Sequence, residues 1–200
     1  MTEDFGRRDL FRRGGKKIAG VASQIAAATA ANRADGWIRP PFAIDELEFL
    51  LRCTQCDKCA EACPHDVIFA LPARTGRHAA GTPAMNLLRR GCHMCVDWPC
   101  VAACEPDALN RPEADEERPP EPPKLAAAKI DQTTCLPYSG PECGACASAC
   151  PVPGALNWAG GTRPVIDQEH CTGCALCREA CITDPKAIQI SARVLDEVVA

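Results

Sequence analysis

Apolar and polar positions along this chain never settle into one long period; they change every few residues between turns, short strands and short helices. The run from Trp37 to Cys53 reads WIRPPFAIDELEFLLRC. Its prolines forbid helix, and Asp45 then stands as an N-cap for a short helix that delivers Cys53. Ile130-Asp131-Gln132 and Ile166-Asp167-Gln168 each precede a cysteine by the same distance, and Ala108-Leu109-Asn110 resembles Ala155-Leu156-Asn157. The recurring unit is a short strand, a cysteine-rich loop, a helical turn and another short strand. Residues 71–91 read as a loop excursion. Residues 111–124, RPEADEERPPEPPK, carry too much proline and charge to pack and read as an exposed linker.

The N-terminal segment has a different pattern. From Arg7 to Ala31, paired arginines and further basic residues lead into a weakly apolar, alanine-rich stretch ending near Ala28-Thr29-Ala30. This is the layout of a twin-arginine signal segment with a small-residue cleavage site, here spanning 1–31. Leu10-Phe11 stand in the reverse of the usual order, and the alternative is a basic surface helix. Export predicts a periplasmic protein; the surface helix predicts a cytoplasmic or membrane-associated one. No stretch reaches the roughly eighteen apolar residues of a transmembrane helix, so membrane contact is expected to be peripheral only.

Composition sharpens the picture. Only nine of 200 residues are aromatic, and much of the apolar fraction is Ala and Cys, so the core is thin and needs internal staples. Outside the first thirty residues, 16 basic side chains face 23 acidic ones. An acidic body argues against nucleic acid as a partner.

The sixteen cysteines form four groups with none left over: Cys53, Cys56, Cys59, Cys63; Cys92, Cys95, Cys100, Cys104; Cys135, Cys143, Cys146, Cys150; and Cys171, Cys174, Cys177, Cys181. The first and fourth are C-x2-C-x2-C-x3-C. The second and third widen one gap but keep the C-x3-C ending. In this spacing three thiolates surround one iron–sulfur cubane while the fourth reaches a second cluster. The expectation is four [4Fe-4S] clusters. Zinc sites prefer two separated C-x2-C knuckles, and disulfides between such close cysteines would be strained, so both fit poorly. The C-x3-C-x2-C pattern of radical enzymes is absent and no thiol remains as a nucleophile; no catalytic residue is expected. His65, His93 and His170 read as loop residues beside the ligands, because no cysteine is missing for them to replace. Trp98 and Trp158 read as cover for small patches of core.

Which groups share clusters is less direct. The likeness of the first and fourth groups suggests an outer module, 42–75 with 164–192, around an inner one at 86–160. The sites would then be Cys53, Cys56, Cys59 with Cys181; Cys171, Cys174, Cys177 with Cys63; Cys92, Cys95, Cys100 with Cys150; and Cys135, Cys143, Cys146 with Cys104. Sequential pairing, first group with second, is the alternative. Either way residues 32–200 form one α+β ferredoxin-like polyferredoxin domain with short strands, short helices and much loop. The nested version has two pseudo-twofold two-cluster modules.

Arg39-Pro40-Pro41, the C-x4-C gap in CHMCVDWPCVAAC, the C-x7-C gap in CLPYSGPECGACASACP, and the ending CTGCALCREACITDPKAIQI together resemble the ferredoxin-type NapG/MauM family, from about Trp37 to Ile190. Glu105 departs from it, standing where proline usually follows the second group. The resemblance implies one-electron transfer from a membrane quinol-oxidising partner of the NapH type to a periplasmic redox enzyme or cytochrome, of the nitrate reductase or methylamine dehydrogenase pathways. Two other readings are a tightly bound electron-transfer subunit of a molybdenum oxidoreductase and a zinc-binding interaction module.

Overall fold

The computed structural model describes residues 36–113 and 121–193. Residues 1–31, where a signal segment was expected, and the centre of the linker lie outside them; the linker's described ends, 111–113 and 121–124, have no regular structure.

Helix α1, Glu46–Arg52, starts where the sequence places it: the Asp45 carboxylate accepts the Leu47 N–H, and Glu46 and Glu48 occupy the first turn while Arg52 occupies the last. The other helices are single turns: α2 (Lys58–Glu61), α3 (Pro99–Ala102), α4 (Leu136–Ser139) and α5 (Leu176–Ala180). Six short strands form three antiparallel pairs: β1 (Ile68–Ala70) with β2 (Pro83–Met85), β3 (Ala127–Ile130) with β6 (Ile188–Ser191), and β4 (Leu156–Ala159) with β5 (Arg163–Ile166). β2 lies inside the stretch expected to be loop; it forms because Leu71 N–H donates to Thr82 O at 2.9 Å and Gly81 N–H returns to Leu71 O at 2.8 Å, closing the excursion onto β1.

These pairings make two like halves in sequence. In the second half, Ala127 faces Ser191 and Ile130 faces Ile188, so the strand before the third cysteine group closes on the strand after the fourth. In the first half the same closure is shorter: Ala43 bridges Leu109, Ile44 N–H donates to Ala108 O at 3.2 Å, and Asn110 N–H to Phe42 O at 2.9 Å. Each half has a hairpin between its two groups, β1–β2 and β4–β5. The nested modules, 42–75 with 164–192 around 86–160, therefore do not form: strands flanking the first group pair with those flanking the second, and those of the third with the fourth. The fold is α+β, as expected, with modules in tandem.

One core nevertheless joins the halves. Phe49, Val67, Leu87, Ala108 and Leu109 from the first pack with Leu125, Ala126, Cys174 and Ala175 from the second. Arg39 braces the first half. Its guanidinium forks onto the Glu46 carboxylate at 2.6 and 2.9 Å, donates to Thr82 Oγ1 at 2.9 Å and Pro83 O at 2.7 Å, and lies 4.7 Å from the centre of the Phe49 ring. Arg39 is only 9% exposed and Glu46 17%. Arg39→Ala leaves that carboxylate unpaired, which costs about 3–5 kcal/mol and lowers the thermal midpoint of the metal-loaded protein by on the order of 10 °C. A midpoint within about 2 °C of the parent protein would mean that Glu46 finds water or another partner at little cost.

Candidate metal centres

The sixteen cysteines all lie among the described residues, and each half brings its eight together as two sets of four. Three sets line compact cavities: Cys92, Cys95 and Cys100 with Cys63; Cys171, Cys174 and Cys177 with Cys150; and Cys135, Cys143 and Cys146 with Cys181. These are sets II, III and IV. Set I is Cys53, Cys56 and Cys59 with Cys104, whose mutual charge repulsion acts on Cys53 and Cys59. In every set the fourth cysteine comes from the neighbouring group. Cys63 therefore joins set II rather than Cys171, Cys174 and Cys177, and Cys181 joins set IV rather than Cys53, Cys56 and Cys59. Cys104 likewise joins Cys53, Cys56 and Cys59 rather than Cys135, Cys143 and Cys146, and Cys150 joins Cys171, Cys174 and Cys177 rather than Cys92, Cys95 and Cys100. The cause is the closure of each half by its own outer strands, which puts the tail of one group against the loop of the other.

Local backbone geometry turns the thiols inward. Left-handed residues sit between successive cysteines: Gln55 and Asp57 in the first group, Met94 and Trp98 in the second, Gly173 and Ala175 in the fourth. For Met, Trp and Ala that conformation is uncommon and persists because the surrounding loop determines it. Asp66 and Asp107 repeat it three residues after the last cysteines of the first two groups. Gly173 has a further reason, since a Cβ there would stand 1.9 Å from Ala126 O. The turns also aim backbone N–H groups at sulfur: Gln55 at Cys53, Lys58 at Cys56, Met94 at Cys92, and Leu176 at Cys174. Gly173 N–H approaches Cys171 Sγ at 3.4 Å, and Leu109 N–H approaches Cys104 Sγ at 3.3 Å. Such donors stabilise thiolate and tune the potential of a bound cluster.

Burial works against the bare thiolates. It is the main cause that pushes Cys100 and Cys177 up to about 12 and Cys59 and Cys92 to about 11, with neighbouring cysteines adding repulsion. Cys56, exposed at the edge of set I, is instead lowered by the Lys58 N–H and the Thr54 hydroxyl. Sulfurs crowded together in this way, several of them buried, become stable thiolates together only around a cationic centre, whose binding releases their protons.

The spaces within sets IV, III and II are alike, each a small cavity of about 20 Å³ walled by four cysteines and mostly apolar neighbours, and so suited to the same kind of group. Among the described residues, no three His, Cys, Asp or Glu side chains converge closely enough to hold a single metal ion. A lone zinc, with Zn–S bonds of about 2.3 Å, would need the sulfurs drawn inward. Among the described residues, Thr172 Oγ1 is the buried side-chain oxygen without a hydrogen-bond partner. It lies on the wall of the set III cavity with Cys174.

The histidines do not assemble into a ligand set. His65 and His93 stack at 3.6 Å, nearly parallel, on the wall of the set II cavity. His170 pairs its Nδ1 with Asp167 at 3.0 Å. Trp98 combines two roles: it packs edge-on to Phe42 at 4.9 Å and lines the set II cavity.

The 4Fe-4S binding domain family matches residues 50–69. The chain is 34% identical to the methylamine utilization ferredoxin-type protein MauM of Methylobacillus flagellatus, over 79% of this chain and 69% of that one. It is 33% identical to the ferredoxin-type protein NapG of Escherichia coli, over 92% and 82%. To MauM of Methylorubrum extorquens it is 32% identical, over 94% and 90%. No solved structure matches.

Proposed function

The chain belongs to the family of ferredoxin-type NapG and MauM proteins, and we propose that it carries electrons on four [4Fe-4S] clusters, from a membrane quinol-oxidising partner to a periplasmic redox enzyme. It is an electron carrier, not an enzyme. The observation that supports this most is the gathering of all sixteen cysteines into four-thiol sets, with none left for other chemistry.

In this reading Cys53, Cys56, Cys59 and Cys104 hold the first cluster; Cys92, Cys95, Cys100 and Cys63 the second; Cys171, Cys174, Cys177 and Cys150 the third; Cys135, Cys143, Cys146 and Cys181 the fourth. The bound clusters supply one-electron redox chemistry. The chain's own part is to hold them at fixed positions, exclude water from the buried sulfurs and set their potentials through N–H donors. Among the described residues no helix is long and apolar enough to cross a membrane, which agrees with a donor that is itself membrane-embedded and of the NapH type. The acceptor class follows the roles that the relatives' names carry, methylamine utilization among them. To test it, the anaerobically purified native protein is reduced with dithionite and mixed with periplasmic extract. Reoxidation by a periplasmic acceptor, with that acceptor and a membrane protein co-purifying from cells, is expected; a reduced protein that no fraction reoxidises contradicts the role.

Twin-arginine export of the segment at Arg7 and Arg8 belongs to the same proposal. An unfolded chain with sixteen thiols entering an oxidising compartment would form disulfides, whereas a route for folded proteins admits clusters inserted in the reducing cytoplasm. Replacing Arg7 and Arg8 with Lys should leave the metal-loaded protein in the cytoplasm on cell fractionation. Unchanged periplasmic recovery removes the export reading and leaves the clusters untouched.

A further inference from the structure

The two halves meet at one place where cysteines of different sets touch through the backbone. Cys92 N–H, from set II, donates to Cys174 O, from set III, at 2.7 Å. Both cysteines are only 7% exposed and belong to the core that spans the halves. The residues around them form a clasp. Gly91 N–H donates to the Glu179 carboxylate at 2.7 Å, and Arg178 Nε donates to Leu88 O at 3.1 Å, so helix α5 is tied to the loop that opens the second group. Gly91 permits the approach by having no side chain: a Cβ there would stand 2.7 Å from Leu176 N and 2.8 Å from its Cδ2.

Within a half, the two sets are joined covalently. Cys59 and Cys63 lie four residues apart but serve sets I and II, and Cys177 and Cys181 likewise serve sets III and IV. The order along the molecule is then I, II, III, IV, and the only cysteine-to-cysteine backbone hydrogen bond between halves, among the described residues, is the one between Cys92 and Cys174.

We propose that the Cys92–Cys174 contact, held by Gly91 and Glu179, is the junction that joins two tandem two-cluster units into a single four-step conductor with sets I and IV as its ends. This rests on the four-cluster reading above. With clusters bound, one electron would pass at the junction from the group held by Cys92, oxidising it by one, to the group held by Cys174, reducing it by one. No proton moves and no bond is made or broken. The hydrogen bond gives a short, dry path, and the clasp holds the two sets together. Gly91 and Glu179 are positioning residues; neither supplies a ligand.

The test uses the full, metal-loaded protein with dithionite as reductant and reads the interaction between cluster spins by electron paramagnetic resonance. Gly91→Ala should keep its iron and sulfide yet lose the spin–spin broadening that arises between sets II and III, leaving the interactions inside each half. Glu179→Ala, which adds no atom to the contact, should weaken the same broadening and decides the matter if Gly91→Ala does not load fully. Full iron with spectra unchanged from wild type in the deciding variant overturns the junction. Iron far below four clusters in the wild-type protein overturns the parent reading instead, so the two failures are told apart.

Discussion

Replacing Cys63 with alanine is expected to cost set II its cluster, a loss of about four of some sixteen irons per chain, and to leave the site at Cys171, Cys174 and Cys177 in place. Cys63 lines the cavity of Cys92, Cys95 and Cys100 although in sequence it closes the first group. Double variants make the assignment unambiguous, because two ligands of one cluster act as a unit while ligands of different clusters add. Cys63→Ala combined with Cys100→Ala should lose no more iron than either change alone. Cys63→Ala combined with Cys177→Ala should lose about twice as much, close to eight irons. The reverse pattern would restore the nested arrangement and contradict the strand closures at Ala43–Leu109 and β3–β6.

Removing the metal from the whole protein is expected to unfold it. The core consists of small residues and a few large ones, Phe49 and Leu87 chief among them, and buried cysteines are part of it. Take away the clusters and what remains is three cysteine-lined cavities and a fourth group of cysteines, with the thiols of Cys59, Cys92, Cys100 and Cys177 held in their protonated form by burial and with single-turn helices and strands of three or four residues around them. Metal binding to small domains contributes on the order of 10–16 kcal/mol, comparable with or larger than a typical net stability of about 5–15 kcal/mol. Treatment with ferricyanide and a chelator should therefore abolish both the cooperative melt and the near-ultraviolet circular dichroism, while a reducing agent keeps the freed thiols from pairing. An apoprotein that still melts cooperatively within about 10 °C of the loaded one would show that packing alone carries the fold.

Much of this was open to reading from the sequence, and the division follows the range of the interactions. Cysteine spacing is local, and so was legible: a C-x2-C-x2-C loop can turn its thiols to one point with no help from the rest of the chain. Asp45 as an N-cap is local too, and α1 begins beside it. Pairing between groups depends on which distant strands close, and similarity of spacing between the first and fourth groups carries no information about that. Two signals did point to the tandem order. The proline-rich linker at 111–124 falls between the second and third groups, where tandem modules need one connection and nested ones need a compact crossing. Ile130 and Ile166 sit at matching distances before cysteines, and in the structure they belong to β3 and β5, which flank one another in the second half.

Other features left no trace in residue type. Ala175, Met94 and Trp98 are poor choices for a left-handed backbone, so nothing in their identity marks the turns they make. Strand β2 was hidden because Pro83 opens it and proline argues against a strand; it is tolerated at the first position of this two-stranded pair. The contact of Cys92 with Cys174 depends on Gly91 having no side chain, and a single glycine before a cysteine reads equally well as a turn.

What the four cysteine sets hold is decided by iron, acid-labile sulfide and zinc measured on anaerobically purified full-length protein, with Mössbauer spectra to identify the iron. The prediction is about 16 iron and an equal amount of sulfide per chain, all in cubane form; a colourless protein containing zinc, or one holding about eight irons with the remaining cysteines free, would contradict it.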